Sequence, residues 1–398
     1  MSKEKVLAYI KSHWDECVKE NRNDEGTLLG MPYPYTVPAV GHFDEMYYWD
    51  TYFTNQGLKL SNRWHLVKSN TDNMLYMVER YGYMPNGNRE GFLGRSQPPF
   101  LSLMVYEVFS HYQDKVWLRG AYETLKKEYA FWTEQRKSGI DGLSSYGGAY
   151  TPQKAEQLRK RVQHCPEGTD EALGRHFIIC CESGADISPR WEFEGYNYAQ
   201  IDLNSLLYAF EKNMEFFAEK LGEDSTGWQK KAENRKALMQ KWMTDKEGFL
   251  NDYNFVKETT SPVLSTFAFY PLFVGAAREE EAAALVKNLY RLEADYGVVT
   301  CEENNIPGVY QWSYPNGWAC QQYIVVEGLK RYGYEEEARR IAGKYLALIE
   351  KTFMETENLW EKYNVVEGNI NVANEYDMPK MMGWTAGTYL ALLDYIEK

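Results

Sequence analysis

Apolar positions recur at steps of three and four residues along most of this chain, which is the spacing of one face of an α-helix. The clearest run precedes Gly222, where glycine can adopt the left-handed conformation that ends a helix. It consists of Leu203, Leu206, Leu207, Phe210, Met214, Phe217 and Leu221. Similar patterns predict helices over residues 64–81, 100–135, 228–243, 279–293, 320–332, 335–354 and 384–397. Because alternation of apolar and polar positions is scarce, we predict an all-α fold.

Two of these predicted helices end on the same four residues, Arg-Tyr-Gly-Tyr, at 80–83 and 331–334. Glycine stands where the chain leaves each helix, which indicates repeated helical hairpins. No linker, charge run or low-complexity stretch divides the 398 residues, so we expect a single domain over residues 1–398. Many helices must then bury their apolar faces against one another, and a closed double ring of helices meets that demand.

In such a ring the loops at one end converge on the axis and can form one pocket. Five loops rich in polar and aromatic residues are candidates for its wall: 41–52, 84–99, 182–192, 301–318 and 359–384. The chain contains 12 Trp, 32 Tyr and 17 Phe. Aromatic side chains with polar tips suit the stacking of sugar rings, although a large core also consumes aromatics.

Charge and cysteine usage exclude several classes of partner. With 44 Lys+Arg against 57 Asp+Glu, the net charge of −13 repels nucleic acid and anionic membrane surfaces. The longest apolar run, 267–277, is too short for the ~20 residues of a membrane-spanning helix. The six cysteines lack CxxC spacing, which suits neither a zinc site nor a disulfide framework. The amino terminus is charged and amphipathic, so we expect a soluble, cytoplasmic protein with reduced thiols.

Two carboxylates lie in segments dense in aromatics and turn formers. Asp186 lies in Glu-Ser-Gly-Ala-Asp-Ile-Ser-Pro-Arg-Trp, residues 182–191, and Glu361 lies in Leu-Trp-Glu-Lys-Tyr, residues 359–363. A sugar-cleaving pair needs one carboxyl protonated near neutrality and the other ionised. The plainer interpretation is that Asp186 caps a helix and Glu361 lies on the surface.

Three further segments carry motifs. Residues 41–52 read Gly-His-Phe-Asp-Glu-Met-Tyr-Tyr-Trp-Asp-Thr-Tyr, and residues 311–319 read Gln-Trp-Ser-Tyr-Pro-Asn-Gly-Trp-Ala. Between them, Met-Pro-Asn-Gly-Asn-Arg at 84–89 is followed by Arg-Ser-Gln-Pro-Pro at 95–99. In this order, from about residue 38 to the end, the chain resembles the trehalases, glycoside hydrolase family 37. The resemblance implies an (α/α)6 toroid, inverting hydrolysis of an α-glucosidic bond, and no metal or organic cofactor.

By the same resemblance, Asp186 is the general acid and Glu361 the general base, and in an inverting pair the carboxyls stand about 6.5–9.5 Å apart. The predicted substrate-binding residues are Phe43, Tyr47, Trp49, Asp50, Asn86, Arg95, Gln97, Gly184, Trp312, Trp318 and Glu375. An acid between Trp49 and Tyr52 suits the binding of sugar hydroxyls. Asn86 could instead shape a turn, Arg95 could form a structural ion pair, and Trp49 could belong to the core.

The chain also departs from the family pattern. His42 stands where the first signature has Arg, Ser313 where the second has Asp, and Ala185 where Trp commonly precedes the acid. Residues 151–153, Thr-Pro-Gln, stand near the place of an Arg-Pro-Glu triplet. Imidazole cannot reproduce the bidentate grip of a guanidinium, so we expect a roomier pocket at His42 and weaker binding of trehalose.

We therefore predict hydrolysis of trehalose to two glucose molecules, with kojibiose, nigerose or glucosylglycerate as rival substrates. A sugar epimerase or isomerase on a similar toroid is a rival of another class, and its proton transfers would use histidines. Of the six histidines, only His42 falls in a pocket motif. A catalytically silent sugar-binding protein is the third alternative. A small sugar is the expected partner, and the sequence leaves the oligomeric state open.

Overall fold

The computed structural model describes residues 2–162, 165, 167–372 and 378–398. Fourteen α-helices lie in this part of the chain, and we number them in order. They are α1 Ser2–His13, α2 Tyr48–Leu60, α3 Trp64–Tyr81, α4 Leu101–Tyr112, α5 Lys115–Ala130, α6 Pro152–Arg161, α7 Asp170–Glu182, α8 Ile201–Leu221, α9 Thr226–Trp242, α10 Tyr270–Val274, α11 Glu279–Lys287, α12 Ala319–Arg331, α13 Glu335–Thr356 and α14 Gly383–Glu397.

The strands of the described residues are two or three residues long and lie in the connections between helices. They are β1 Val18–Lys19, β2 Tyr35–Thr36, β3 Tyr198–Ala199, β4 Tyr253–Asn254, β5 Thr259–Thr260, β6 Glu293–Ala294, β7 Gly297–Val298, β8 Asn316–Trp318 and β9 Lys362–Asn364. All pairings between them are antiparallel: β1 with β2, β4 with both β3 and β5, β6 with β7, and β8 with β9. The β8–β9 pair sets Trp318 opposite Lys362.

Burial separates the helices into an inner and an outer ring. Every residue of α2 from Tyr48 to Leu58 is buried, whereas α9 buries only Ala232, Arg235 and Met239. The inner helices α4, α8, α10, α12, α14 and α2 pack in that succession, and Phe100 before α4 stacks on Tyr52 of α2. The outer helices α1, α3, α5, α9, α11 and α13 alternate with them along the chain. The fold is the (α/α)6 toroid that the resemblance implies.

Glycine permits the close approach that completes the inner ring. At Gly387 of α14 a Cβ atom would lie 2.0 Å from the Phe53 carbonyl oxygen of α2, and at Gly57 it would lie 2.7 Å from the Gly387 Cα. A side chain at either position would force the two helices apart. Helices α6 and α7 stand outside the alternation of rings, pack on each other, and contribute to a second hydrophobic cluster.

The helix predictions succeed where a helix has one apolar face. Residues 64–81 form α3, and the run before Gly222 forms α8, with Gly222 left-handed at φ 74°. The predicted stretch 100–135 is broken, because Gln113 is left-handed and Asp114 caps α5 through the Val116 and Trp117 amides.

Helix α2 was not predicted, and its first turn lies in the expected loop 41–52. From Tyr48 to Leu58 this helix is buried on all sides, so its polar residues do not mark a solvent-exposed face and the amphipathic pattern is lost. Among the described residues, no helix has the length and apolar character needed to cross a membrane.

Candidate active site

A cavity of about 180 Å³ lies where the amino-terminal ends of α2, α12 and α14 meet. All five loops predicted to converge contribute to its wall, so that prediction is confirmed. The lining residues are Pro38, Phe43, Tyr47, Trp49, Asp50, Asn86, Phe92, Arg95, Gln97, Gly184, Asp186, Gln311, Trp312, Trp318, Glu361, Met382 and Trp384.

The structure thus brings together Asp186, Glu361 and every predicted binding residue except Glu375, which lies outside the described residues. Five wall residues were not predicted: Pro38, Phe92, Gln311, Met382 and Trp384. Gln311 stands at the head of a recognised motif, and that position was the available signal. Trp384 occurs in a predicted amphipathic helix, where the sequence pattern does not distinguish a cavity-lining tryptophan from one that packs in the hydrophobic core.

Indole rings form one side of the cavity. Trp312 stacks on Trp318 with ring centroids 3.7 Å apart, and Trp384 meets both rings nearly at right angles. Trp49 lies 5.4 Å from Trp312. Gly184 has φ +74°, and a Cβ there would lie 2.6 Å from the Trp49 ring, so this position requires glycine. The wall is a rigid aromatic surface onto which a flat apolar face can stack.

Glu361 is held from two sides at the start of β9. Its Oε2 accepts a hydrogen bond of 2.7 Å from Lys362 Nζ, and its backbone carbonyl accepts one of 3.1 Å from Trp384 Nε1. The side chains of Lys362 and Glu361 are 0% and 3% exposed. This carboxylate is buried beside a cation.

Asp186 has a more open setting in the loop after α7. Its side chain is 36% exposed, and its Oδ2 accepts a hydrogen bond of 3.1 Å from Arg161 Nη2 of α6. The two carboxylates therefore lie in one cavity but differ in exposure and in the cation that each contacts.

Buried ion pairs anchor the segment that carries Asp186. At its start, Glu182 accepts hydrogen bonds from Arg136 and from the amides of Ser96 and Gly147. At its end, the fully buried Arg190 pairs with Asp202 and Asp252. The plainer interpretation of Asp186 as a helix cap does not hold, since the N-caps flanking it are Thr169 and Ser188.

Asp50 lies in the first turn of α2, facing the cavity. Burial, with a smaller contribution from the charges of Glu361 and Asp186, raises its pKa to about 8. Asp50 is therefore mostly protonated at neutral pH and can donate a hydrogen bond as well as accept one.

The departures from the family pattern lie away from this wall. His42, Thr151 and Gln153 are exposed, while Ala185 and Ser313 are buried, and none of the five lines the described cavity. The expected roomier pocket at His42 is therefore not supported. The ring of His42 instead meets the edge of Phe43, with centroids 4.6 Å apart.

Two observations bear on metals and thiols. Within residues 2–162, 165, 167–372 and 378–398, no group of three or more His, Cys, Asp or Glu side chains is arranged to hold a metal ion. The six cysteines are free, and all but Cys165 are buried. Buried thiols resist oxidation through their inaccessibility, so they do not reveal the redox compartment.

Comparison with known proteins gives consistent results. The sequence model of the trehalase family matches residues 2–397. The periplasmic trehalase of Xanthomonas axonopodis pv. citri (strain 306) is 32% identical over 416 residues, which cover 97% of this chain and 72% of that protein. The periplasmic trehalase of Escherichia coli O1:K1 / APEC is 30% identical over 435 residues, covering 98% and 74%.

Among solved structures, the neutral trehalase Nth1 from Saccharomyces cerevisiae superposes with a TM-score of 0.78 at 29% identity, covering 97% of this chain and 79% of that one. The GH63 mannosylglycerate hydrolase from Thermus thermophilus gives 0.68 at 17% identity, covering 98% and 99%. The second likeness shows the fold alone.

These relatives correct the expected cytoplasmic location, which is wrong because the matched curated proteins are named periplasmic trehalases. That expectation depended on cysteine spacing and on the amino-terminal residues, and buried free thiols fit either compartment.

The family match extends over nearly the whole chain, and the motifs that suggested it form the wall of one cavity. The chain belongs to the trehalase family.

Proposed function

We propose that this protein hydrolyses trehalose to two glucose molecules with inversion at the attacked carbon, and that residues 1–398 form one catalytic domain. The observation that carries the proposal is that Asp186 and Glu361 line the same indole-walled cavity in unlike settings. The names of the relatives supply the substrate.

In the proposed mechanism, Asp186 is the general acid and protonates the glycosidic oxygen as its bond to the anomeric carbon breaks. Glu361 is the general base and takes a proton from a water molecule that attacks the same carbon from the opposite face.

The cavity wall supplies groups to hold the sugar. Arg95 Nε and Gln311 Oε1 are buried, and among the described residues neither has a hydrogen-bond partner. A buried donor or acceptor left unpaired costs about 1–3 kcal/mol, so both atoms favour a ligand that pairs with them. A hydroxyl both donates and accepts, which fits this donor, this acceptor and the protonated Asp50.

We assign the remaining predicted binding residues to two parts of the wall, an aromatic part and a polar part. The rings of Trp312 and Trp318 suit stacking on a pyranose face, with Phe43, Tyr47 and Trp49 completing the aromatic wall. Gln97 accepts a hydrogen bond from the Trp49 amide and lies with Asn86 on the polar side. Gly184 leaves the room that Trp49 needs. Glu375 is proposed on its motif alone.

The rival epimerase or isomerase lacks support at the site. Within the described residues no histidine lines the cavity, and His176 is fully buried elsewhere. A rival substrate such as kojibiose or nigerose differs from trehalose in the linkage and would compete in the same cavity.

The acid and base roles are tested with Asp186→Asn and Glu361→Gln, assayed by glucose release from trehalose. Losing a general acid or base typically costs about 10²–10⁴-fold, so both variants should fall at least that far in kcat. Glu192→Gln and Glu367→Gln, at exposed positions in neighbouring segments, are the matched controls and should stay near wild type. Near-normal turnover by either catalytic variant, with a native circular dichroism spectrum, would remove that residue from its role.

Stereochemistry is tested by proton NMR in the first minutes of trehalose hydrolysis. Inversion converts the attacked α-glucosyl unit into β-glucose and releases the leaving unit as α-glucose, so both anomers should form in equal amounts before mutarotation. Release of α-glucose alone would indicate retention and contradict the mechanism. A parallel panel of kojibiose, nigerose, maltose and glucosylglycerate identifies the preferred linkage.

A further inference from the structure

We propose that Lys362 is a positioning residue that holds Glu361 in one orientation for its role as general base. The inference depends on the proposed function, because it concerns the residue assigned there as the base. Lys362 does not line the cavity. Its Nζ donates a hydrogen bond of 2.7 Å to Glu361 Oε2, and both side chains are buried almost completely.

The fold gives Lys362 little freedom to move. In the β8–β9 pair Lys362 lies opposite Trp318, and its Nζ stands 4.7 Å from the centroid of that ring. Trp318 is in turn stacked on Trp312 in the cavity wall. The ammonium group is therefore held between an aromatic face and the carboxylate.

Burial makes the ion pair hard to break. Burial lowers the pKa of Lys362, while its contact with Glu361 acts in the opposite direction. A buried charge without its partner is strongly destabilising, so each member holds the other in place. A lysine that fixes Oε2 also fixes the plane of the carboxylate that must receive a proton from water.

Other charged or acidic side chains lie near this pair. Asp50 of α2 and Asp186 after α7 share the cavity with Glu361, and Arg95 is the cation in the described wall. Lys362 contacts Glu361 directly but stands outside the cavity lining, so it can orient the carboxylate without touching the substrate.

A purely structural pair joining β8 to β9 is the competing interpretation, and separate measurement of kcat and KM on trehalose distinguishes the two. Lys362→Met should lower kcat by about 10–100-fold and change KM little, because a carboxylate that is no longer fixed meets the attacking water less often in the reacting geometry. Lys362→Arg retains the cation and should recover most of the wild-type kcat.

A control variant accompanies the test. Arg235→Met removes a buried cation that pairs with Glu211 at 2.9 Å outside the cavity. Arg235→Met should lower the Tm and leave kcat near the wild-type value, as the loss of a purely structural pair would.

A wild-type kcat in Lys362→Met would overturn the proposal, and so would a loss of kcat that Lys362→Arg does not recover. If Lys362→Met gives no cooperative melting transition, Lys362→Gln carries the same expectation and the same refutation. The outcome stays distinct from the proposed function. An inactive Glu361→Gln with a Lys362→Met variant of wild-type kcat would reject only the positioning role, whereas an active Glu361→Gln would reject the base itself.

Discussion

Glu182→Gln tests whether one buried carboxylate holds the two halves of the site together. Glu182 ends α7 and accepts four hydrogen bonds: from Arg136 Nε at 2.7 Å and Nη2 at 2.8 Å, and from the amides of Ser96 at 2.8 Å and Gly147 at 2.6 Å. A glutamine supplies one oxygen and turns an NH₂ group toward the remaining donors. It also leaves Arg136, 10% exposed, without its counter-charge.

Removing one member of a buried ion pair costs about 3–5 kcal/mol, so the free energy of unfolding should fall by that amount. Native proteins typically have a free energy of unfolding of about 5–15 kcal/mol, which exceeds this loss over most of its range, so the variant should still fold. Ser96 lies between Arg95 and Gln97, and Asp186 follows Glu182 by four residues. Loss of the Glu182 contacts should loosen the attachment of residues 95–97 to the segment that carries Asp186, and should therefore also reduce kcat/KM on trehalose.

Urea unfolding and trehalose kinetics measure both effects. Asp24→Asn is the matched control, since Asp24 accepts a bidentate pair from Arg80 at 3.0 and 2.6 Å, with Asp24 48% exposed. An exposed pair contributes about 0–1 kcal/mol, and its loss should leave kcat/KM unchanged. If Glu182→Gln lost no more stability than Asp24→Asn and kept its activity, the anchoring role would be refuted.

Three further changes have defined outcomes. Burial raises the pKa of Glu128 to about 8, so the folded state keeps a proton that the unfolded state releases. Glu128 should then make stability fall as pH rises from 4.5 to about 8, by up to about 1.4 kcal/mol per unit, and Glu128→Gln should remove this contribution in urea titrations while that of Asp50 remains. Asp50→Asn, which mimics a protonated acid, should keep more trehalose affinity at pH 7 than Asp50→Ala, and the reverse order would contradict protonation. His42→Ala at an exposed position should change kcat/KM by no more than about twofold, and a larger loss would place His42 at the substrate.

The amino-acid sequence by itself determined the all-α class, the one-sided helices and the segments that carry the site. Helices α3 and α8 are readable because each has one apolar face, and Gly222 marks the end of α8 through its left-handed backbone. The motifs around Asp186 and Glu361 are readable because chemistry restricts residue type locally. Gly184 beside Asp186, and Trp318 in the 311–319 motif, therefore also lie in the wall.

Only the tertiary structure decided which groups face one another. Lys362 and Arg161 are unremarkable in the sequence, yet each lies against a different carboxylate of the site. His42 belongs to the motif that places Phe43, Tyr47, Trp49 and Asp50 in the cavity wall, but His42 itself is exposed. The pKa of Asp50 depends on burial by distant segments. The burial of a side chain and the charges beside it depend on residues that are far apart in the chain. Those residues come together only when the toroid closes.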